Sequence, residues 1–257
     1  MSKRSNWSIP YVVFLVFFVA LPLVLVMVYA FQDSQGHFTL GNLAKFITDR
    51  DALSTFAVSI EVALENTALC ILLGYPAAWI LANKQYNKSA VTIVLFIMPM
   101  WINALMRTLA TAQLFTMLDI TLGKGTLLFG MVYDYLPFMI YPIYNTLSKM
   151  DKSYAEAAED LGATPWQVFT KVTVPLSMPG VSSGVLMVFM PTVSTFAISE
   201  FLTNNKIKLF GTIIQENINN SMWNYGAALS LIMLIIIGLT TFLQGGEEAE
   251  ETSGGLI

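Results

Sequence analysis

Apolar residues fall in long blocks along this chain, and polar residues gather in the gaps between them. Six blocks approach the length a membrane-crossing helix needs, about 20 residues with a range of roughly 17–25. They cover residues 10–31, 56–82, 90–118, 125–147, 178–202 and 225–243. The first carries no charge. Glu61 and Glu65 interrupt the start of the second, Arg107 lies in the third and Asp134 in the fourth, and the fifth ends near Glu200. The pattern predicts an all-α integral membrane protein with six transmembrane helices. Of the gaps, 32–55 opens on turn residues Asp33, Ser34 and Gly36. In 203–224, Ile207, Phe210, Ile213, Ile214 and Ile218 recur at near-helical spacing and predict a short amphipathic helix. Residues 244–257 are rich in Glu, Gly and Ser and read as an acidic disordered tail.

Composition strengthens that picture. Of 257 residues, 55% are apolar and 12% charged, where a soluble domain carries about 25% charged residues. Lipid is therefore the expected solvent, and one domain is the expected organisation. The net charge is −4, but eight of the acids sit in residues 148–176 and the tail. No basic patch suggests nucleic acid. Cys70 is the only cysteine and lies in an apolar run, so it reads as core filler. The only histidine, His37, falls in a polar loop, and no metal-ligand spacing is present. The first block is long and lacks a small-residue cleavage end, so it reads as a span rather than a signal peptide.

With both termini cytoplasmic, the inner segments hold Lys3, Arg4, Lys84, Lys88, Lys149, Lys152 and Lys171, against Lys45, Arg50, Lys124, Lys206 and Lys208 outside. Basic residues favour the cytoplasmic side, so this slight excess supports that orientation. It places residues 148–177, between the fourth and fifth spans, on the inner surface. Tyr154–Leu161 is rich in helix-favouring Ala and Glu. Ser153 is placed to cap it, with Glu156 completing a capping box. Gly162 permits the left-handed turn that ends it. Thr164-Pro165 starts a second helix, and Pro175 and Pro179 mark the entry to the fifth span. The expectation is a compact helix–turn–helix lying on the membrane's inner face.

Residues 156–175 read EAAEDLGATPWQVFTKVTVP. Glu156, Ala157, Ala158, Gly162, Val172, Val174 and Pro175 resemble the signature of permease subunits of binding-protein-dependent ABC importers, with Val standing for its Ile and Leu. Gly74-Tyr75-Pro76, Pro99-Met100-Trp101, Leu136-Pro137-Phe138-Met139 and Ser177-Met178-Pro179-Gly180 are similar to the spermidine/putrescine importer permeases, the first of their two membrane subunits. The resemblance implies a type I ABC importer permease fold in the bacterial inner membrane. It implies that a coupling helix from Glu156 to Gly162 seats in a cleft of a separate ATPase subunit. Ala157, Ala158, Pro165 and Pro175 belong to that segment, and Asp160 and Trp166 are neighbours outside the fixed positions. The implied partners are a second permease, two ATPase subunits and an external binding protein. ATP and Mg belong to the ATPase. This chain carries no G-x-x-x-x-G-K-S/T string, and Gly123-Lys124-Gly125-Thr126 lacks its spacing.

Charges inside spans are costly and need a reason, and Glu61, Glu65 and Asp134 are not positions of that family pattern. Glu61 and Glu65 are four apart and share a helix face near the outer leaflet. Arg107 lies about 17 residues up the third span, or about 25 Å, at a similar height. An Arg107 ion pair with one of these glutamates is therefore expected. Asp134 lies near the midplane, with no basic residue expected at its depth. Two readings stay open for it. With Glu200 and the rings of Tyr133 and Tyr135 it can line an acidic, aromatic route for a cation. Alternatively Asp134 is hydrogen-bonded within a helix interface and the tyrosines belong to interfacial belts. Gly180 and Gly184 form a small-residue seam suited to close helix packing.

The function expected is a membrane subunit of an ATP-driven polyamine importer. An importer subunit for another small solute is the alternative, followed by a secondary cation transporter or channel using Asp134 and Glu200. An intramembrane enzyme is disfavoured, because no nucleophile–base or metal constellation is present.

Overall fold

The computed structural model describes residues 9–84, 86, 87, 89 and 91–254. Lys3, Arg4 and Lys88, used above for orientation, lie outside them. The helices in order are α1 (Pro10–Ala30), α2 (Gly41–Thr48), α3 (Arg50–Ala82), α4 (Val91–Trp101), α5 (Ala104–Met117) and α6 (Lys124–Lys149). They continue as α7 (Ser153–Asp160), α8 (Pro165–Ser194), α9 (Ala197–Thr203), α10 (Phe210–Asn219) and α11 (Trp223–Gly254). α1, α3, α6, α8 and the Trp223–Thr241 part of α11 are each long and apolar enough to cross a membrane.

The third span departs from expectation. It is two helices, α4 and α5, meeting at 88°. Pro99 lies in the last turn of α4. Asn103 then starts a new helix by accepting the Leu105 N–H at 2.9 Å. The fifth span also differs. α8 begins at Pro165 and stops at Ser194, and Ala197–Thr203 forms the separate helix α9. The second span starts earlier than expected, because the Asp49 carboxylate caps α3 at the N–H groups of Asp51 and Ala52. Those bonds hold the Asp49 carboxyl below its usual range. The tail expected to be disordered continues α11 to Gly254. Its Glu247–Glu251 run, EEAEE, favours helix and offsets the preceding glycines. The short outer helix is present as α10, and α2 was not foreseen.

Proline leaves a recognisable mark at two further places. Leu21 N–H reaches back to Val16 O, and Val174 N–H to Phe169 O, each a π-type turn. Pro22 and Pro175 follow directly, and neither can donate the bond that would close an ordinary turn.

α3, α6 and α8 form the centre, and α1 lies at the edge against α11. Met139, Ile140 and Ile143 of α6 pack with Cys70, Ala78 and Val188 in the inner half. Leu127 and Met131 of α6 pack with Val62, Phe115, Ile198 and Leu202 in the outer half. Hydrocarbon gains little from burying apolar groups, so close contact and internal hydrogen bonds must hold such a bundle. Asn66 Nδ2 donates to Thr192 Oγ1 at 2.8 Å, and Thr126 Oγ1 to Leu202 O at 2.8 Å. A Cβ on Gly180 would lie 2.9 Å from Pro142 O, and one on Gly184 2.7 Å from Met139 Sδ. The seam in α8 thus lies directly on α6. Gly184→Val is expected to cost about 1–3 kcal/mol by overpacking and to lower the melting temperature of the purified chain, whereas Gly125→Ala, with open space around it, leaves it unchanged.

Candidate functional site

Residues 150–169 form a knob at the inner end of the bundle. α7 starts two residues after Asp151, whose carboxylate accepts the Ser153 N–H at 3.0 Å. That bond pulls the Asp151 carboxyl below its usual range. Asp151 therefore does the capping expected of Ser153, which lies inside the helix without a side-chain cap bond at its start. Gly162 turns the chain at φ +84°, with its N–H on Glu159 O and Ala163 N–H on Ala158 O. Thr164 and Gln167 then form a reciprocal capping box, with Pro165 in the first turn. Glu156, Ala157, Asp160, Gly162, Pro165 and Pro175 are exposed and Ala158 is half-buried. The tip is apolar as well as polar: Leu161 is 90% exposed and Trp166 71%.

Behind this tip lies an aromatic chain that the sequence did not single out. Trp166 stacks on Phe169 at 5.7 Å between ring centroids. Phe169 meets Trp79 at 5.9 Å and Tyr75 at 6.0 Å, both edge-on, and both belong to α3. The Tyr75 hydroxyl shares a 2.8 Å hydrogen bond with Ser177 of α8. The knob is therefore mounted on the inner ends of two central spans. Tyr75 and Trp79 at the inner end of the second block, with Trp166 and Phe169 in the gap before the fifth, are the available signal.

The intramembrane charges pair differently from expectation. Glu61 and Glu65 do share a face, but Lys124 Nζ takes both, at 2.7 and 2.8 Å. Arg107 Nη2 lies 3.2 Å from Asp134 Oδ1, with the two side chains 5% and 2% exposed. Thr108 Oγ1 donates to Asp134 Oδ2 at 3.2 Å, and the Arg107 guanidinium sits over the Tyr133 ring at 5.6 Å. The reason is the break before Asn103. Arg107 lies one turn into α5, at the depth of Asp134, and not 25 Å up a straight rod. Of the residues expected along a cation route, Asp134 and Tyr133 are thus engaged by Arg107. Tyr135 packs into the core between α6 and its neighbours. Glu200 is half-buried on α9 and makes no ion pair among the described residues.

Residues 4–245 match the family of binding-protein-dependent transport system inner membrane components. This chain belongs to that family. The permease is 33% identical over 263 residues to the spermidine/putrescine transport system permease protein PotB of Salmonella typhimurium, covering 93% of this chain and 91% of that one. Against PotB of Escherichia coli K12 the identity is 32%, covering 88% and 90%. A PotB homolog of Mycoplasma genitalium is 26% identical, covering 93% and 90%. In fold, the permease resembles a chain of a bacterial ABC transporter for alginate import, with a TM-score of 0.69, 16% identity and coverage of 96% and 97%. A chain of the MetNI methionine ABC transporter gives 0.57 and 14%, covering 79% and 94%. The six expected spans, with the third broken, are those of a multi-pass inner membrane protein of this type.

Proposed function

We propose that this permease forms one half of the path of an ATP-driven polyamine importer and transmits force from a separate ATPase through the knob at residues 150–169. The observation that carries the reading is the knob itself: a turn fixed by a left-handed glycine and a capping box presents Leu161 and Trp166 outward on a rigid aromatic mount. An exposed apolar tip rimmed by Glu156, Glu159 and Asp160 suits a partner's groove. The spermidine/putrescine names of the relatives support a polyamine as cargo. The partners are a second permease, two ATPase subunits that hold the ATP and Mg, and an external binding protein. Closure of the ATPase pair draws the knobs together, and α3 and α8 carry that movement across the membrane.

The test is co-expression with the ATPase and second permease, followed by reconstitution with binding protein. Spermidine or putrescine uptake that requires ATP, and ATP hydrolysis stimulated by loaded binding protein, are expected. Uptake by this chain alone, driven by an ion gradient and indifferent to ATP, would reject the reading in favour of a secondary transporter.

A further inference from the structure

We infer that the break in the third span is a subsite for an alkylammonium group of the cargo, with the Trp101 indole as its cation-binding face. This rests on the polyamine reading above.

The depth of the break is fixed from two sides. α4 spans Val91–Trp101 and rises roughly 16 Å from the inner face, about half of a hydrocarbon core of roughly 30 Å. One turn beyond the break, Arg107 meets Asp134, which lies about 15 Å along α6 from its outer end. Interrupted backbone at this depth does not face lipid, because hydrocarbon offers no partner for its polar groups; it lines a cavity or packs on protein.

Trp101 stands at this corner and is 85% exposed, so little among the described residues covers it. Tryptophans at membrane interfaces sit at the ends of spans, where Trp79, Trp166 and Trp223 of this chain are found. Trp101 is at the wrong depth for that role. α4 ends at the same place, and a helix end leaves its last carbonyls without intrahelical donors and carries the negative pole of the helix dipole. Here Pro99 O receives the Ile102 N–H at 3.2 Å. The next basic residue, Arg107, is neutralised by Asp134. Met98 and Met106, on either side of the bend in sequence, are also exposed.

An aromatic face, helix-end carbonyls and apolar neighbours fit an ammonium carried on methylenes. A small metal ion would require oxygen ligands in greater number. A hold made by a ring face and helix-end carbonyls is weak, as a transit site requires: a cargo that enters must also leave.

The experiment uses the full complex in proteoliposomes with saturating spermidine-loaded binding protein, and reads spermidine taken up per ATP hydrolysed. Trp101→Leu is expected to lower that ratio about tenfold and Trp101→Phe to fall between, because the indole is the strongest of the cation-binding rings. Mono-, di- and trifluorotryptophan placed at position 101 should lower it stepwise, since fluorine drains the ring face while keeping its shape. A purely structural tryptophan would not respond to fluorination. A ratio that stays flat across the fluorinated series overturns the subsite even if Trp101→Leu is impaired. So does loss of the second permease from Trp101→Leu with the fluorinated proteins unaffected, which would make Trp101 an interface residue. A wild-type complex that moves no polyamine removes the functional reading, and the subsite falls with it.

Discussion

Arg107→Ala and Asp134→Ala should each prevent recovery of folded permease, whereas Arg107→Met combined with Asp134→Leu should restore it. Each single change strands a charge in a site where both side chains are nearly fully buried. Removing one partner of a buried pair costs about 3–5 kcal/mol, while replacing both by apolar groups of similar volume is often neutral or better. A cost of that size is comparable to a large part of a protein's whole stability, which is about 5–15 kcal/mol. Arg107 is the more sensitive position. Its Nε and Nη1 find no hydrogen-bond acceptor among the described residues, so Asp134 and the Tyr133 ring carry most of its compensation. The measurement is the yield of monodisperse protein in detergent and its melting temperature. Single variants as stable as the wild type would show that the pair does not hold α5 to α6. The double variant also decides what Asp134 does in transport: uptake that survives in it assigns the carboxylate to structure and removes it from the cation route.

That pair shows where reading the chain ran out. The apolar blocks overlap the five helices long and apolar enough to cross a membrane and the broken pair α4–α5, because hydrocarbon thickness sets a length that composition alone reveals. The knob was legible for a related reason: Gly162, Thr164 and Pro165 act on the backbone locally, and their conformations follow from their own covalent structure. Only the first cap was misplaced, by two residues, because Asp151 and Ser153 are both competent and the carboxylate is the stronger acceptor. Pairing across the membrane is a different matter. It depends on heights, and an unbroken third span would place Arg107 at the height of Glu61 and Glu65. Pro99 and Asn103 mark the break, a proline in a closing turn followed by a capping residue, but inside a long apolar block they read as part of one helix. Once the rod bends by 88°, Arg107 drops to Asp134. Glu61 and Glu65 are left to Lys124, which in the sequence reads only as a loop charge. The aromatic mount was missed for a similar reason, since Phe169 meets Trp79 and Tyr75 across some ninety residues of sequence.

Gly162→Val should separate ATPase docking from folding of the membrane part. Gly162 holds φ +84°, and a Cβ added there meets nothing within 4 Å. The penalty is therefore conformational and not steric contact with neighbours. A left-handed backbone costs an ordinary L-residue about 1–2 kcal/mol, and a β-branched residue tolerates it least. Either the turn opens, or it holds at that cost. Where it opens, Leu161, the most exposed point of the knob, loses its fixed position between α7 and the Thr164 capping box. If that energy is drawn from the docking step, 1.4 kcal/mol corresponds to a tenfold weaker complex. Gly162→Asn should be nearly normal, because Asn enters the left-handed region more readily, and Gly162→Ala should fall between. ATPase co-purified per permease is expected to decline in the order Gly, Asn, Ala, Val, with the melting temperature of the isolated permease unchanged, because the turn touches none of the core between α3, α6 and α8. Equal ATPase recovery across the four proteins would mean that the shape of this turn does not matter to docking. A melting temperature that fell along with recovery would place the effect in the fold instead of the contact.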